Sequence, residues 1–117
     1  MPVNRKPKVA IIGGGIGGLA AALALHRRGI EAQVYEQSAE IKEIGAGVNM
    51  SPNALKAFRL LGVEDAIVEI GHHAKATMAR NYKSGRVIRR PDNTASGLEA
   101  RFGGKFLTIH RADILDV

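Results

Sequence analysis

Three glycines and one acid stand at a spacing that can do chemistry: Gly13-x-Gly15-x-x-Gly18 and, 18 residues further on, Glu36. Each glycine has a mechanical reason. Gly13 permits a tight turn out of a strand, Gly15 leaves the backbone open to a pyrophosphate, and Gly18 lets a helix lie close to a sheet. Phosphates then sit at the helix N-terminus, where backbone N–H groups and the helix dipole favour negative charge. An acidic residue at the end of the next strand accepts hydrogen bonds from ribose hydroxyls and disfavours a 2′-phosphate. The lone glycine pattern is weak evidence; its value depends on the elements around it.

Those elements are legible. Lys8 is followed by the apolar run Val9-Ala10-Ile11-Ile12 and then glycine, which reads as a strand buried on both faces of a parallel sheet. Residues 16–28 are apolar on nearly all sides and rich in alanine, a helix that packs closely. His26, Arg27 and Arg28 fall in its last turn, where positive charge suits the dipole, and Gly29 is a stop signal. Residues 32–35 form the second strand, parallel to the first through a right-handed crossover. Together these make a unit that binds adenine dinucleotides. The unit alone does not separate FAD from NAD, because both carry ADP.

Beyond it, residues 38–44 read as a short helix or loop, and Gly45-Ala46-Gly47-Val48-Asn49-Met50 as a glycine-flanked extended piece. Ser51-Pro52 starts a helix with a capping serine and proline at its first position. Leu55, Phe58 and Leu61 form its buried stripe, and Gly62 closes it. Residues 63–70 form a further short helix. Residues 75–82 and 86–90 flank Lys83-Ser84-Gly85 as a hairpin. Residues 91–104 read as a polar loop, 106–109 as a strand, and His110 onward as the start of a helix.

With 117 residues the chain is one small domain or part of a larger one, and 45% apolar residues suffice for a core. It has no cysteine, hence no disulfide framework and no thiolate site. No signal-peptide pattern precedes Lys8, and no apolar stretch is long enough for a membrane span, so a soluble, cytoplasmic protein without membrane partners is expected. The net charge is +6. Its nearest approach to a patch, Arg80, Lys83, Arg86, Arg89 and Arg90, reads as a solvated hairpin, and no nucleic-acid partner is expected. His72 and His73 are adjacent and point apart, Glu40 and Glu43 lie on a solvated face, and no metal site is expected.

The segment Gly45 to Leu55, followed by Phe58-Arg59-Leu60-Leu61-Gly62-Val63, resembles the FAD-dependent aromatic hydroxylases. These are the single-component flavoprotein monooxygenases of the salicylate and 3-hydroxybenzoate hydroxylase kind. Ile109-His110-Arg111-Ala112-Asp113-Ile114-Leu115 is similar to that family's HRADLL element. The resemblance implies the fold class: α/β, the N-terminal portion of a Rossmann-like FAD-binding domain, with a βαβ dinucleotide unit plus helices and a β-hairpin. It implies that Gly13, Gly15, Ile16 and Gly18 hold the FAD pyrophosphate and that Glu36, with Gln37 alongside, holds the adenosine ribose. Gly47 and Val48 would run past the inner part of the cofactor, Arg111 would reach its phosphate–ribose region, and Lys42 would approach it. His110 would have a structural role ahead of Arg111.

The implied reaction hydroxylates a phenolic aromatic acid with NAD(P)H and O₂. The family's mid-chain Asp-Gly motif and late Gly-Asp motif do not follow Arg111, and no catalytic residue is assigned. Residues 1–117 are therefore expected to be the N-terminal part of an FAD-binding domain, truncated, with no second domain. Open sheet edges would favour self-association. An isolated nucleotide-binding fragment without catalysis, or an interaction fragment needing a partner, stands as the alternative.

Overall fold

The computed structural model describes residues 8–39, 47–89, 92–94 and 97–117. The expectations placed on Glu40, Lys42, Glu43, Gly45, Ala46 and Arg90 lie outside the described residues. The chain begins with a βαβ unit: β1 (Val9–Ile12), α1 (Ile16–His26) and β2 (Ala32–Tyr35). β1 and β2 pair in parallel, Val9 opposite Ala32 and Ile12 opposite Tyr35. Gly29 adopts φ 68°, the left-handed turn that ends the helical region, and its N–H bonds the His26 carbonyl at 2.8 Å.

Next come β3 (Gly47–Met50), α2 (Pro52–Leu61), α3 (Glu64–Ile70) and β4 (His72–His73). They are followed by the hairpin β5 (Ala79–Arg80) and β6 (Val87–Arg89), then α4 (Leu98–Phe102), β7 (Leu107–His110) and α5 (Arg111–Leu115). β7 is the centre of an antiparallel sheet ordered β3-β7-β4. The core lies where α2, α3 and α5 cover this sheet: Met50, Leu55, Phe58, Ile67, Leu107, Ile109 and Ile114 are buried together. Ile16, at the start of α1, packs against the same cluster, tying the βαβ unit to the second sheet.

Three sequence expectations need correction: the burial of β1, the loop at 91–104 and the capping role of Ser51. β1 is not buried on both faces. α1 covers one side only, and Ile12 is 83% exposed. The helix is likewise apolar all round yet has no fully buried residue, because the two-stranded sheet is too narrow to enclose it. The segment 91–104 is not all loop: Leu98-Glu99-Ala100-Arg101-Phe102 is helical and packs on α2. Strong helix formers and the Leu98–Phe102 spacing outweigh the flanking glycines, and Gly103 ends the helix at φ 69°.

Ser51 precedes Pro52 at the start of α2, but its hydroxyl bonds the Asn53 side chain and makes no backbone cap. Gly62 closes α2 at φ 79°. Arg59 and Glu64 form a two-point ion pair at 2.5 and 2.7 Å that links α2 to α3.

Candidate dinucleotide site

The parallel register brings the site together. Because Ile12 lies opposite Tyr35, the residues that follow, Gly13 and Glu36, emerge side by side at the carboxyl ends of the two strands. In open parallel sheets this edge is where ligands bind. The Gly13 N–H continues the ladder by donating to the Tyr35 carbonyl at 2.7 Å. Its φ of 110° is the left-handed turn that glycine tolerates. A Cβ on Gly18 would fall 1.9 Å from the Gly13 carbonyl oxygen and 3.4 Å from Ile11 Cγ2. The third glycine is thus required by the contact between helix and turn.

Gly15 is different. Its φ of −72° and ψ of −180° are open to any residue, so the backbone does not demand glycine there. Gly15 is the N-cap residue, from which the first turn of α1 begins. Among the described residues no side chain caps that turn and no acid lies within it. Its leading N–H groups have no partner within the helix, and the dipole adds positive potential. Such an end fits a pyrophosphate.

Glu36 stands across the turn. Its Oε2 accepts from the Gly14 N–H at 2.6 Å and its Oε1 from the Ser38 N–H at 2.9 Å. Those two donors, Gly14 first, hold the Glu36 carboxyl below the usual glutamate range. Each carboxylate oxygen keeps a further lone pair for a hydroxyl donor. Gln37 is exposed beside it. Gly14, buried in the turn, escapes a reading of the sequence because it occupies a variable position of the glycine pattern. The run of three glycines, Gly13-Gly14-Gly15, was the available signal.

Gly47, Val48 and Arg111 form a second group. β3 and β7 pair Gly47 with His110 and Val48 with Ile109, which sets Arg111, the first residue of α5, next to the start of β3. α5 packs against α1, so the two groups belong to one body. Arg111 is exposed. His110 precedes α5, its Nδ1 3.8 Å from Asp113 Oδ1. His72 and His73 alternate across β4. His72 is exposed, while His73 Nε2 lies 3.3 Å from the carbonyl oxygen of buried Asn93.

Strand, glycine turn, uncapped helix, parallel strand and terminal acid together define a dinucleotide-binding α/β unit. Residues 6–110 match the FAD binding domain family, and the chain belongs to it. It is 34% identical over 111 residues to 6-hydroxynicotinate 3-monooxygenase of Pseudomonas fluorescens, covering 95% of this chain and 29% of that protein. It is 42% identical over 106 residues to 3-hydroxybenzoate 6-hydroxylase of Polaromonas naphthalenivorans, covering 91% and 26%. Among solved structures, HpxO of Klebsiella pneumoniae, in complex with FAD and uric acid, superposes with a TM-score of 0.79 at 30% identity, over 99% of this chain and 29% of that one. The chain thus spans between a quarter and a third of the length of these relatives.

Proposed function

We propose that this chain is the ADP-holding portion of the FAD site in a flavin-dependent monooxygenase that hydroxylates a phenolic aromatic acid with NAD(P)H and O₂. The observation that carries the reading is the uncapped N-terminus of α1, which begins at Gly15, at the same sheet edge as the Glu36 carboxylate that Gly14 holds. In this reading the turn at Gly13, Gly15, Ile16 and Gly18 receives the pyrophosphate. Glu36, with Gln37 alongside, takes the adenosine ribose. Gly47 and Val48 pass the inner part of the cofactor, and the Arg111 guanidinium supplies charge to its phosphate–ribose region, a geometry that suits phosphate. The chemistry FAD supplies when bound is hydride acceptance from NAD(P)H and activation of O₂. The residues of this chain bind and orient it.

The relatives' names, with hydroxynicotinate and hydroxybenzoate as substrates, support the aromatic-acid class. Residues 1–117 are assigned to the N-terminal part of the FAD-binding domain. A cytoplasmic location accords with a supply of NAD(P)H. No helix among the described residues is long and apolar enough to cross a membrane. The exposure of Ile12 on an open two-stranded sheet favours a second reading, in which the chain acts only when joined to further polypeptide or to a second copy.

Titration of FAD fluorescence with the chain tests the cofactor reading. Saturable quenching that ADP reverses and riboflavin does not is the expected result. Quenching displaced equally by riboflavin would overturn the assignment of the ADP half. Sedimentation of the chain alone, showing dimers or larger species, would support the second reading.

A further inference from the structure

We infer that Gly14 is a positioning residue that fixes the Glu36 carboxylate for a vicinal ribose diol, so that the discrimination Glu36 exerts against a 2′-phosphate depends on Gly14. The inference rests on the reading of the site given above and adds to it the residue that aims the carboxylate. A glutamate at a strand end has three rotatable side-chain bonds, and free in solvent it would present its oxygens in many directions. Here both oxygens are held by backbone N–H groups, Oε2 by Gly14 at 2.6 Å and Oε1 by Ser38 at 2.9 Å. Neither donor can rotate away, because Gly14 sits in the turn between β1 and α1 and Ser38 follows β2. The carboxylate is thereby kept ionised and aimed before any ligand arrives. An anion held in place accepts from two hydroxyls and repels a phosphate at the same position.

The absence of a side chain at position 14 belongs to the same device. Gly14 is buried, and a Cβ there would meet Glu36 Cβ at 3.2 Å, Oε2 at 3.3 Å and Cγ at 3.4 Å. All three nearest atoms belong to the one side chain. The backbone at Gly14 is outside the left-handed region, so alanine is conformationally tolerated and presses first on Glu36. This separates Gly14 from Gly13 and Gly18, which glycine's conformational freedom or the close approach of helix and turn already explains.

The test has two parts. In the unmodified chain, NMR should show the Gly14 amide proton shifting with pH at the midpoint of the Glu36 carboxyl titration, below the ordinary glutamate range. In Gly14→Ala that midpoint should move up towards it. An amide proton that ignores the titration overturns the inference without reference to any ligand.

The second part is a double-mutant cycle on binding of ADP and of adenosine 2′,5′-bisphosphate. Gly14→Ala should weaken ADP binding about fivefold and narrow its advantage over the 2′-phosphate, and in a Glu36→Ala background it should change neither by more than about twofold. Equal losses in both backgrounds would mean that Gly14 acts independently of Glu36, and the inference fails while the nucleotide reading stands. A chain that binds neither nucleotide refutes the nucleotide reading and the selectivity together. The amide titration then still decides whether the clamp exists.

Discussion

Gly17 and Gly18 are neighbours in the first turns of α1, and the structure predicts opposite effects for the same substitution. In Gly18→Ala the new methyl falls 1.9 Å from the Gly13 carbonyl oxygen. That atom is main chain in a turn whose N–H is bonded to Tyr35 at 2.7 Å, so it has no rotamer to escape into. Relief requires moving α1 away from β1. Overpacking of this kind costs about 3 kcal/mol at the upper end of its range. Alanine returns about 1 kcal/mol through helix propensity, leaving a net loss of about 2 kcal/mol. At roughly 4 °C per kcal/mol for a chain of this size, the melting temperature should fall by about 8 °C. Among the described residues, a Cβ added to Gly17 meets nothing within 4 Å beyond its chain neighbours and its own helix backbone. Gly17→Ala should therefore gain up to about 1 kcal/mol and melt a few degrees higher. Thermal and urea denaturation followed by circular dichroism reads both. Equal behaviour of the two variants, or a Gly18→Ala chain melting within about 2 °C of the parent, would refute the close-packing argument.

Leu55 is fully buried at the centre of the core, and Leu55→Ala should cost about 3 kcal/mol in urea denaturation. A loss below about 1 kcal/mol would mean that the core is not where α2 meets the β3-β7-β4 sheet. The Glu36 carboxyl, held low by the Gly14 N–H and then the Ser38 N–H, gives a pH dependence of defined sign. Its contribution is present above the ordinary glutamate value of about 4.3 and is lost as pH falls through the lower folded value. The parent chain should therefore lose urea stability more steeply than Glu36→Gln between about pH 5 and pH 3, and parallel curves would count against the clamp.

The βαβ unit was legible because its signals are local. Four apolar residues ending in glycine, an alanine-rich run and a second short apolar run each sit within a few positions of their cause. The helix of residues 52–61 was legible for the same reason, its stripe at Leu55, Phe58 and Leu61 closed by Gly62. What the sequence did not disclose depends on distant partners. β4 is two histidines, and only pairing with Leu107 and Thr108 makes them a strand. α4 was hidden by glycines and packs on α2 across a long stretch of chain, Leu98 and Phe102 lining one cavity with Pro52 and Lys56. β1 read as buried because its residues are apolar, whereas burial requires a second layer, which the narrow sheet lacks among the described residues. The places of Gly13 and Glu36 at the strand ends and of Gly18 in the helix start were readable from spacing, but the bond from Gly14 to Glu36 was not. It arises from the strand register, which sequence spacing does not determine.

The central claim is that the turn from Gly13 to Gly18 and the start of α1 form a pyrophosphate cradle. Calorimetric titration of ADP into the parent chain and into Gly15→Val tests it most directly. Valine is compatible with the backbone at Gly15, so the variant should keep its circular dichroism spectrum and melting behaviour. Its branched side chain would occupy the approach to the helix N-terminus, and ADP affinity should fall at least tenfold, the loss of about 1.4 kcal/mol. A folded Gly15→Val chain that binds ADP as tightly as the parent would contradict the account.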